Sequence, residues 1–323
     1  MQSSTSIIIF FILFLLELVY FKIANYYNII DKPNQRSSHS EVTIRGGGII
    51  FSFAVLIFFI IENFKYPFFI TGLVAIAVIS FVDDILTLDN KLRITVHLIA
   101  VALLFYQWKF FAMPWYCIVI TAVFVIGIIN AYNFMDGING ITGAYSLITI
   151  ATLYYINEHV IAFTAKELLL ITGLALLVFN FFNFRIKAKC FAGDIGSVSI
   201  AFILIFLIGQ LIITTGNITF ILLLLFYGLD TVTTIISRLI KKENIFKAHR
   251  SHYFQYLVNE GKMPHLIVAA GYAILQLLFN IILFRLIYGS GMATFVVTIV
   301  ISFIFIIIRF GTEGSNKLLG QRF

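Results

Sequence analysis

Five aspartates lie within or at the ends of long apolar stretches, where carboxylates are rare: Asp83, Asp84, Asp136, Asp194 and Asp230. A carboxylate at the centre of a bilayer costs roughly 2.5–3.5 kcal/mol or more, so it persists only where it is shielded or functional. The 323-residue chain has only 15 Asp and Glu residues in all. Because five of them recur within or at the ends of apolar segments, they predict a metal-dependent site at one face of a membrane.

The first cluster is the adjacent pair Asp83-Asp84, in Phe-Val-Asp-Asp-Ile. Neighbouring carboxylates repel one another, and one of them tends to hold a proton unless a cation is close. The pair is therefore suited to binding a metal or to acting as a general base. The alternative interpretation is a solvated helix end.

The second cluster runs from Asn130 to Gly140 and combines amides, an acid and glycines. Asn133 and Asp136 are three residues apart, so in a helix they share a face. Their oxygens are hard ligands that suit Mg²⁺, which keeps several waters and takes one or two carboxylates from a protein. A simple Asn-Gly or Asp-Gly turn is the alternative.

The third cluster, Gly-Asp-x-Gly-Ser at Gly193–Ser197, follows a basic run and opens an apolar stretch. A helix that starts here offers free N–H groups to a phosphate, and Asp194 offers an acid to a metal bridging that phosphate. An ordinary N-cap by Asp or Ser is the alternative.

The fourth cluster, His249-Arg250-Ser251-His252, lies in a long polar loop. Its side chains could bind phosphate oxygens through charge-assisted hydrogen bonds. A zinc site is disfavoured because no third His or Cys lies at ligand spacing nearby. The alternative is a solvated basic loop.

Asp230 differs from the other acids because it falls inside an apolar stretch. On a helix it shares a face with Thr234 and Arg238, but Arg238 is about 12 Å away along the axis. Asp230 therefore needs another partner, which could be the site or a neighbouring helix.

Apolar runs of about 17–22 residues must position these clusters, and such runs are long enough to cross a membrane. With 61% hydrophobic residues, the chain is predicted to be an all-α, polytopic membrane protein with a single domain over 1–323. The first run lacks a cleavage site, so it is predicted to be an uncleaved span. About eleven helices are expected, at 6–24, 47–62, 67–82, 93–110, 115–132, 139–156, 166–184, 197–213, 218–238, 265–288 and 292–310.

The loops between these spans divide sharply by charge. One set, at 31–46, 83–93, 185–196, 239–264 and after 309, has fifteen Lys and Arg residues, and the other set has three. This bias predicts that the first set is cytoplasmic, with the N-terminus outside and the C-terminus in the cytoplasm. All the polar clusters, including the 133–139 loop, then face the cytoplasm.

Taken in this order, the clusters resemble the polyprenyl-phosphate N-acetylhexosamine-1-phosphate transferases (glycosyltransferase family 4). Asp83-Asp84 match the family's Asp-Asp pair, and 130–140 match its Asn-x-x-Asn-x-x-Asp-Gly-x-Asp-Gly segment. Further matches are Gly-Asp-x-Gly-Ser at 193–197, Asp-Thr at 230–231 and the histidine motif at 249–252. The chain departs from the pattern at Asn139, where many members have Asp, and it lacks three consecutive histidines.

The resemblance implies transfer of a sugar-1-phosphate, by default GlcNAc-1-phosphate, from a UDP-sugar to undecaprenyl phosphate, with release of UMP. It implies Mg²⁺, with Mn²⁺ as the alternative, held by Asp136, Asp194 and Asn133. The implied catalytic residues are Asp83, Asp84, Asp136, Asp194, His249 and His252. The implied substrate contacts are Lys32, Asn130, Asn139, Asn183, Arg250 and Asp230.

The resemblance also implies a bacterial inner membrane location, with the active site facing the cytoplasm at the start of surface polysaccharide assembly, such as that of O-antigen or cell wall polymers. Nucleic acid is not expected as a partner, and a homodimer is an open alternative. The rival activity within the family is phospho-MurNAc-pentapeptide transfer. The rival class is a secondary transporter, which would place its charges near the midplane of the membrane.

Overall fold

The computed structural model describes residues 3–32, 41–86, 88–244, 249–287 and 291–320, which fold almost entirely into helices. In chain order the α-helices are α1 Ser3–Tyr26, α2 Ile49–Ile61, α3 Pro67–Leu86, α4 Asn90–Gln107, α5 Trp115–Met135, α6 Ile141–His159, α7 Lys166–Asn183, α8 Gly193–Thr215, α9 Leu225–Ile240, α10 Tyr253–Asn259, α11 His265–Ile287, α12 Gly291–Glu313 and α13 Ser315–Leu319. Two 3₁₀ segments, Phe110–Ala112 and Ile218–Leu224, and two short strands, β1 Ile30–Asp31 and β2 Thr43–Ile44, complete the described ranges.

The chain is an all-α, polytopic membrane protein, as the sequence predicted. Within the described ranges, eight helical segments are long and apolar enough to cross a membrane: Ser4–Tyr26, Pro67–Leu86, Trp115–Met135, Lys166–Asn183, Gly193–Thr215, Ile218–Ile240, His265–Arg285 and Gly291–Glu313. Each of the eleven predicted helices has a counterpart, but α2, α4 and α6 are not among these eight. Eleven crossings and the sidedness of the termini stay predictions.

Helix α8 is the central helix of the bundle. It is buried along most of its length and packs against α2, α3, α5 and α6. Its first turn meets the start of α2 at two glycines, since a Cβ on Gly196 would lie 2.6 Å from the Cα of Gly48. This contact brings the loop before α2 directly over the first turn of α8.

The loops next to the first turn of α8 are joined by backbone hydrogen bonds. Strands β1 and β2 pair antiparallel, and Ile44 of β2 forms a further bridge to Cys190. The N–H groups of Gly47 and Gly48 donate to the carbonyls of Phe191 and Ala192, at 2.8 and 3.1 Å. The loop after α1 and the loop before α8 are therefore one connected unit.

Two helix boundaries differ from the predicted ones in a way that matters for the site. Helix α3 continues to Leu86, so Asp83 and Asp84 belong to its last turn. Helix α8 begins at Gly193 and not at 197, so Asp194 lies in its first turn. Within the loop predicted at 239–264, the chain also forms the short helix α10, which begins immediately after His252.

Candidate active site

Asp84, Arg45 and Asp194 form the centre of an acidic cluster at the ends of α3 and α8. The Nε of Arg45 lies 2.7 Å from Oδ1 of Asp84, and its Nη2 lies 3.2 Å from Oδ1 of Asp194. The side chain of Asp84 is fully buried, whereas 34% of the Arg45 side chain is exposed. Arg45 thus joins two carboxylates that are 110 residues apart in the chain.

The carboxylate of Asp84 also accepts hydrogen bonds from the backbone of α8. The N–H of Asp194 donates to Oδ1 at 2.9 Å, and the N–H of Ile195 donates to Oδ2 at 3.1 Å. The sequence-based expectation that these N–H groups are free to bind a phosphate is wrong in this structure. An acidic side chain satisfies the unpaired donors of the helix N-terminus and complements its dipole.

Arg93, at the start of α4, joins the third acid to the cluster. Its Nη1 lies 2.7 Å from Oδ2 of Asp83, and its Nη2 lies 3.4 Å from Oδ2 of Asp194. The other oxygen of Asp83 accepts a hydrogen bond from the N–H of Leu88 at 2.6 Å. Asp194 is therefore held between two guanidinium groups, and Asp83 and Asp84 each contact a different one.

Asn133 and Asp136, at the end of α5, lie on another side of this cluster. Asn133 contacts Asp194 and accepts a hydrogen bond from the hydroxyl of Ser197 at 3.0 Å. Burial raises the pKa of Asp136 to about 7, although a hydrogen bond from Thr142 opposes the shift, and the charges of Asp194 and Asp84 add to it. A carboxyl group with this pKa would be stabilised in its ionised form by a nearby cation.

The donor set fits Mg²⁺ in chemistry and in charge. Four carboxylates, when ionised, face two guanidinium groups in this cluster, which leaves a formal excess of two negative charges. Asp136, Asp194 and Asn133 supply hard oxygens, and Mg²⁺ needs few protein ligands because it keeps several waters. Among the described residues, no three His, Cys, Asp or Glu side chains are already gathered as a chelate.

Asp230 does not join the acidic cluster. Its carboxylate is fully buried and accepts hydrogen bonds from the N–H groups of Tyr253 and Phe254, at 2.9 and 3.1 Å. The hydroxyl of Tyr272 donates to it at 2.6 Å, and Nδ1 of His252 lies at 3.2 Å. The expectation that Asp230 contacts substrate is therefore corrected, because protein groups occupy both of its oxygens.

His249 and His252 form a second cluster next to Asp230. Their rings stack with centroids 5.1 Å apart, and the hydroxyl of Ser251 lies 3.0 Å from Nδ1 of His249. Burial, followed by the charges of His252 and Arg238, lowers the pKa of His249 to about 4. His249 is therefore neutral at pH 7, and it would offer phosphate a neutral hydrogen bond and not a charge-assisted one.

The end of α5 connects the two clusters. The ring of Phe134 lies 5.7 Å from the ring of His249, and Phe134 directly follows Asn133 of the acidic cluster. A Cβ on Gly137 would lie 2.9 Å from the ring of Phe254 in α10. The end of α5 thus contacts the histidine segment and also carries Asn133 and Asp136 of the acidic cluster.

The other predicted contact residues have varied positions. Asn183 is buried and uses both ends of its amide, accepting from the N–H of Gly140 at 2.7 Å and donating to the carbonyl of Cys190 at 2.8 Å. Asn139 is also buried and donates to the carbonyl of Arg185 at 2.9 Å. Asn183 therefore fixes the two site loops to each other, and the amide nitrogen of Asn139 is likewise engaged within the protein.

The remaining candidates lie nearer the surface. Lys32 is exposed at the edge of the described residues, and Asn130 is half-buried on α5. Arg250 is exposed and contacts the side-chain oxygen of Asn259. Arg36 and His39 of the first loop, and Lys247 beside the histidines, lie outside the described residues.

The sequence did not single out two arginines that organise these clusters. In the sequence, Arg93 is only one of fifteen basic loop residues, although it contacts two of the five aspartates. Arg309 had no assigned role, although it is buried in an otherwise apolar helix and lies 3.8 Å from Asp230. A lone arginine inside the apolar stretch 292–310 was the available signal.

Comparison with known proteins agrees with this arrangement. A sequence model described as glycosyl transferase family 4 matches residues 66–213, which include Asp83, Asp84, Asn133, Asp136 and Asp194. Over these residues the chain is similar to glycosyl transferase family 4. It is therefore a membrane-embedded transferase, and the matched segment carries most of the acidic cluster.

Three relatives illustrate the similarity. A probable undecaprenyl-phosphate N-acetylglucosaminyl 1-phosphate transferase of Bacillus subtilis (strain 168) is 27% identical over 271 residues, covering 76% of this chain and 74% of the relative. An undecaprenyl-phosphate alpha-N-acetylglucosaminyl 1-phosphate transferase of Yersinia pestis is 27% identical, covering 74% and 72%. The enzyme of the same name in Escherichia coli (strain K12) is 26% identical, covering 74% and 72%.

Proposed function

We propose that this transferase moves a sugar-1-phosphate from a UDP-sugar to undecaprenyl phosphate and releases UMP. The observation that carries the proposal is the convergence of Asp83, Asp84, Asp136 and Asp194 with two arginines at one end of the bundle. Both substrates are phosphate anions, so their reaction needs a site that neutralises and orients negative charge. The names of the relatives support the same chemistry.

The bonding changes are those of phosphoryl transfer. An oxygen of the lipid phosphate attacks the β-phosphorus of the UDP-sugar, and the bond from that phosphorus to the bridging oxygen of UMP breaks. A phosphate monoester loses its second proton near pH 6, so a general base contributes little at pH 7. Orientation and electrostatic stabilisation therefore provide most of the rate enhancement.

In this proposal, Asp136, Asp194 and Asn133 hold the divalent cation. A cation held by these residues would supply electrostatic neutralisation for the diphosphate. Arg45 and Arg93 keep Asp194 oriented, and both side chains are partly exposed, so that they can also meet a phosphate oxygen. Asp83 lies on the lipid-phosphate side, where its contact with Arg93 orients that guanidinium.

His249 and His252 lie next to the diphosphate in this assignment. His249 is neutral at pH 7, so it donates a hydrogen bond to a phosphate oxygen without adding charge. Arg250, exposed beside them, supplies the cationic contact. The prenyl chain of the acceptor would lie against the lipid-facing helices.

We place the site at the cytoplasmic face of the bacterial inner membrane, because the loops that carry it hold most of the basic residues. The location of the acids at helix ends argues against a secondary transporter, whose charged residues lie near the midplane on broken helices. GlcNAc-1-phosphate is the proposed transferred group, and the muramoyl-pentapeptide is the rival within the family. A homodimer stays a prediction.

The test is UMP release by the purified protein with undecaprenyl phosphate, Mg²⁺ and a panel of UDP-sugars, with mass detection of the prenyl product. UDP-GlcNAc is expected to give UMP and a prenyl diphosphate sugar in equal amounts. Product only from the muramoyl-pentapeptide substrate would reassign the sugar. Release of no UMP from any donor, with intact protein, would refute the proposed reaction.

A further inference from the structure

His252 is held in one orientation by a buried carboxylate. Its Nδ1 lies 3.2 Å from Oδ1 of Asp230, and its side chain is 2% exposed. Because Nδ1 faces Asp230, Nε2 is the ring nitrogen left for another group. That Nε2 is buried and has no hydrogen-bond partner among the described residues. A buried nitrogen of this kind indicates a position for a ligand oxygen or a water.

Asp230 fixes more than the imidazole ring. It also accepts from the N–H groups of Tyr253 and Phe254, which open α10, and from the hydroxyl of Tyr272 on α11. One carboxylate therefore links α9, α10 and α11 around His252. If it moved, the ring and the start of α10 would move with it.

Arg309, on α12, reinforces this arrangement from the opposite side. Its Nη1 donates to the hydroxyls of Thr233 and Thr234 on α9, at 2.6 and 2.9 Å. Its Nη2 donates to the carbonyl of Ser251 at 2.8 Å, next to His252 in the chain. Its Nε donates to Glu313 at 2.7 Å. A single guanidinium thus connects α9, the histidine segment and α12.

Such an arginine is costly in an apolar helix. Most of the α12 surface faces away from the rest of the protein, yet the Arg309 side chain points inwards and is 2% exposed. Charged side chains inside apolar segments are rare and usually functional. Thr233, Thr234, Ser251 and Glu313 together meet all three of its nitrogens, which offsets the loss of hydration.

From these contacts we infer that Arg309 is a positioning residue for the transfer reaction, which holds the Asp230–His252 pair and the start of α10 against α9. The inference rests on the proposed function, since it assigns a purpose to the orientation of His252. Arg309 itself touches no substrate and acts through the groups that it contacts. Its planar guanidinium contacts several partners at once, which a lysine cannot reproduce.

The experiment compares Arg309→Gln and Arg309→Lys with wild type and with Arg285→Gln, an exposed arginine of α11. Three quantities are measured: kcat and KM for UMP release from UDP-GlcNAc, the melting temperature, and the rate at which diethyl pyrocarbonate modifies His252, mapped by mass spectrometry. The modification rate reports the protection of the imidazole without depending on turnover.

Arg309→Gln is expected to lower kcat by at least ~10-fold while KM changes by less than ~3-fold, because the misplaced group acts mainly in the transition state. His252 should be modified several times faster than in wild type. Arg309→Lys should recover part of both losses, because one ammonium can replace some of the contacts. Arg285→Gln should match wild type in every measurement.

Wild-type kcat and wild-type protection of His252 in a folded Arg309→Gln protein would overturn the inference. If that variant does not fold, Thr233→Val removes the 2.6 Å contact with Arg309, together with the bond of the same hydroxyl to the carbonyl of Leu229 on its own helix. It should show the same pattern as Arg309→Gln with smaller changes, and the absence of that pattern would overturn the inference equally. If the wild-type enzyme releases no UMP from any UDP-sugar, the proposed function fails, and the modification rates still decide whether Arg309 holds His252.

Discussion

The carboxylate of Asp84 accepts a hydrogen bond from the backbone N–H of Asp194 at 2.9 Å. The last turn of α3 thereby caps the first turn of α8, and the side chain of Asp194 is directed towards Arg45 and Arg93. Asp84 and Asp194 therefore have different roles within one acidic cluster. Asp84 is buried and holds the helix end, whereas Asp194 is partly exposed and can meet a ligand.

Substitution of the two proposed cation ligands tests this division first. Asp194→Asn and Asp136→Asn are each expected to lower the rate of UMP release at least ~10²-fold, because each removes charge that stabilises the transition state. Glu158→Gln is the matched control, since this exposed carboxylate lies at the far end of α6. Near-normal turnover in both aspartate variants would refute the assignment of these ligands.

Removal of divalent cations tests the same site independently. Treatment with EDTA should abolish UMP release, and added Mg²⁺ should restore it, because two uncompensated carboxylates otherwise repel the diphosphate. In Asn133→Ala, restoration should need several-fold more Mg²⁺, with a maximal rate closer to wild type than that of Asp194→Asn. Full activity in EDTA would contradict a cation in this cluster.

Much of the fold could be predicted from the sequence because membrane spans depend on local composition. Every predicted helix has a counterpart, since the lengths of apolar runs decide where helices form. The acids were found for the same reason: a carboxylate at the end of an apolar run stands out without any knowledge of its partners.

The partners themselves could not be predicted, because they are set by tertiary packing. Arg45 and Asp194 are 149 residues apart, and nothing local to either one indicates their contact. The same limit explains Asp230, which was grouped with the other acids by type but has its own partners 22 to 42 residues later. It also explains why α8 starts early: its N-terminal donors are satisfied by a side chain from another helix.

The role of Asp84 as a helix cap leads to a prediction about stability. Asp84→Ala should lower the free energy of unfolding by roughly 2 kcal/mol, because two backbone N–H groups and part of Arg45 lose their partner. Asp84→Asn should lose less, since an amide oxygen still accepts one bond. Melting temperatures of the purified variants would measure this, with Asp89→Ala, which removes the exposed cap of α4, as a comparison. Equal melting temperatures for Asp84→Ala and wild type would exclude a capping role.

The buried environment of His249 predicts a dependence of stability on pH. The pKa of His249 is about 4 in the folded protein, while an unfolded histidine binds its proton near pH 6.5. As the pH falls, the unfolded chain therefore takes up this proton first. The contribution of His249 is fully present above about pH 6.5 and is lost as the pH falls towards 4.

The measurement is the change in melting temperature between pH 7.5 and pH 5. His249→Gln should show a smaller decrease than wild type, because it removes a group that the folded state keeps neutral. His159→Gln, which replaces an exposed histidine at the end of α6, should decrease as much as wild type. A decrease in His249→Gln as large as that of wild type would show that another group causes the acid instability.

Gly193, the first residue of α8, has a backbone conformation that favours glycine. Gly193 has a φ of +71°, and a Cβ there would lie 2.6 Å from Oδ2 of Asp84 and 2.8 Å from the N of Gly46. Gly193→Ala should therefore cost at least ~1–2 kcal/mol through backbone strain, and the clash would displace the Asp84 cap. We expect a lower melting temperature and a loss of UMP release together.

The control is Gly127→Ala, on the exposed side of α5, where an added Cβ would have no heavy atom within 4 Å. This substitution should leave the melting temperature and UMP release unchanged or raise stability slightly. Wild-type melting and turnover in Gly193→Ala would mean that α8 does not begin in contact with Asp84.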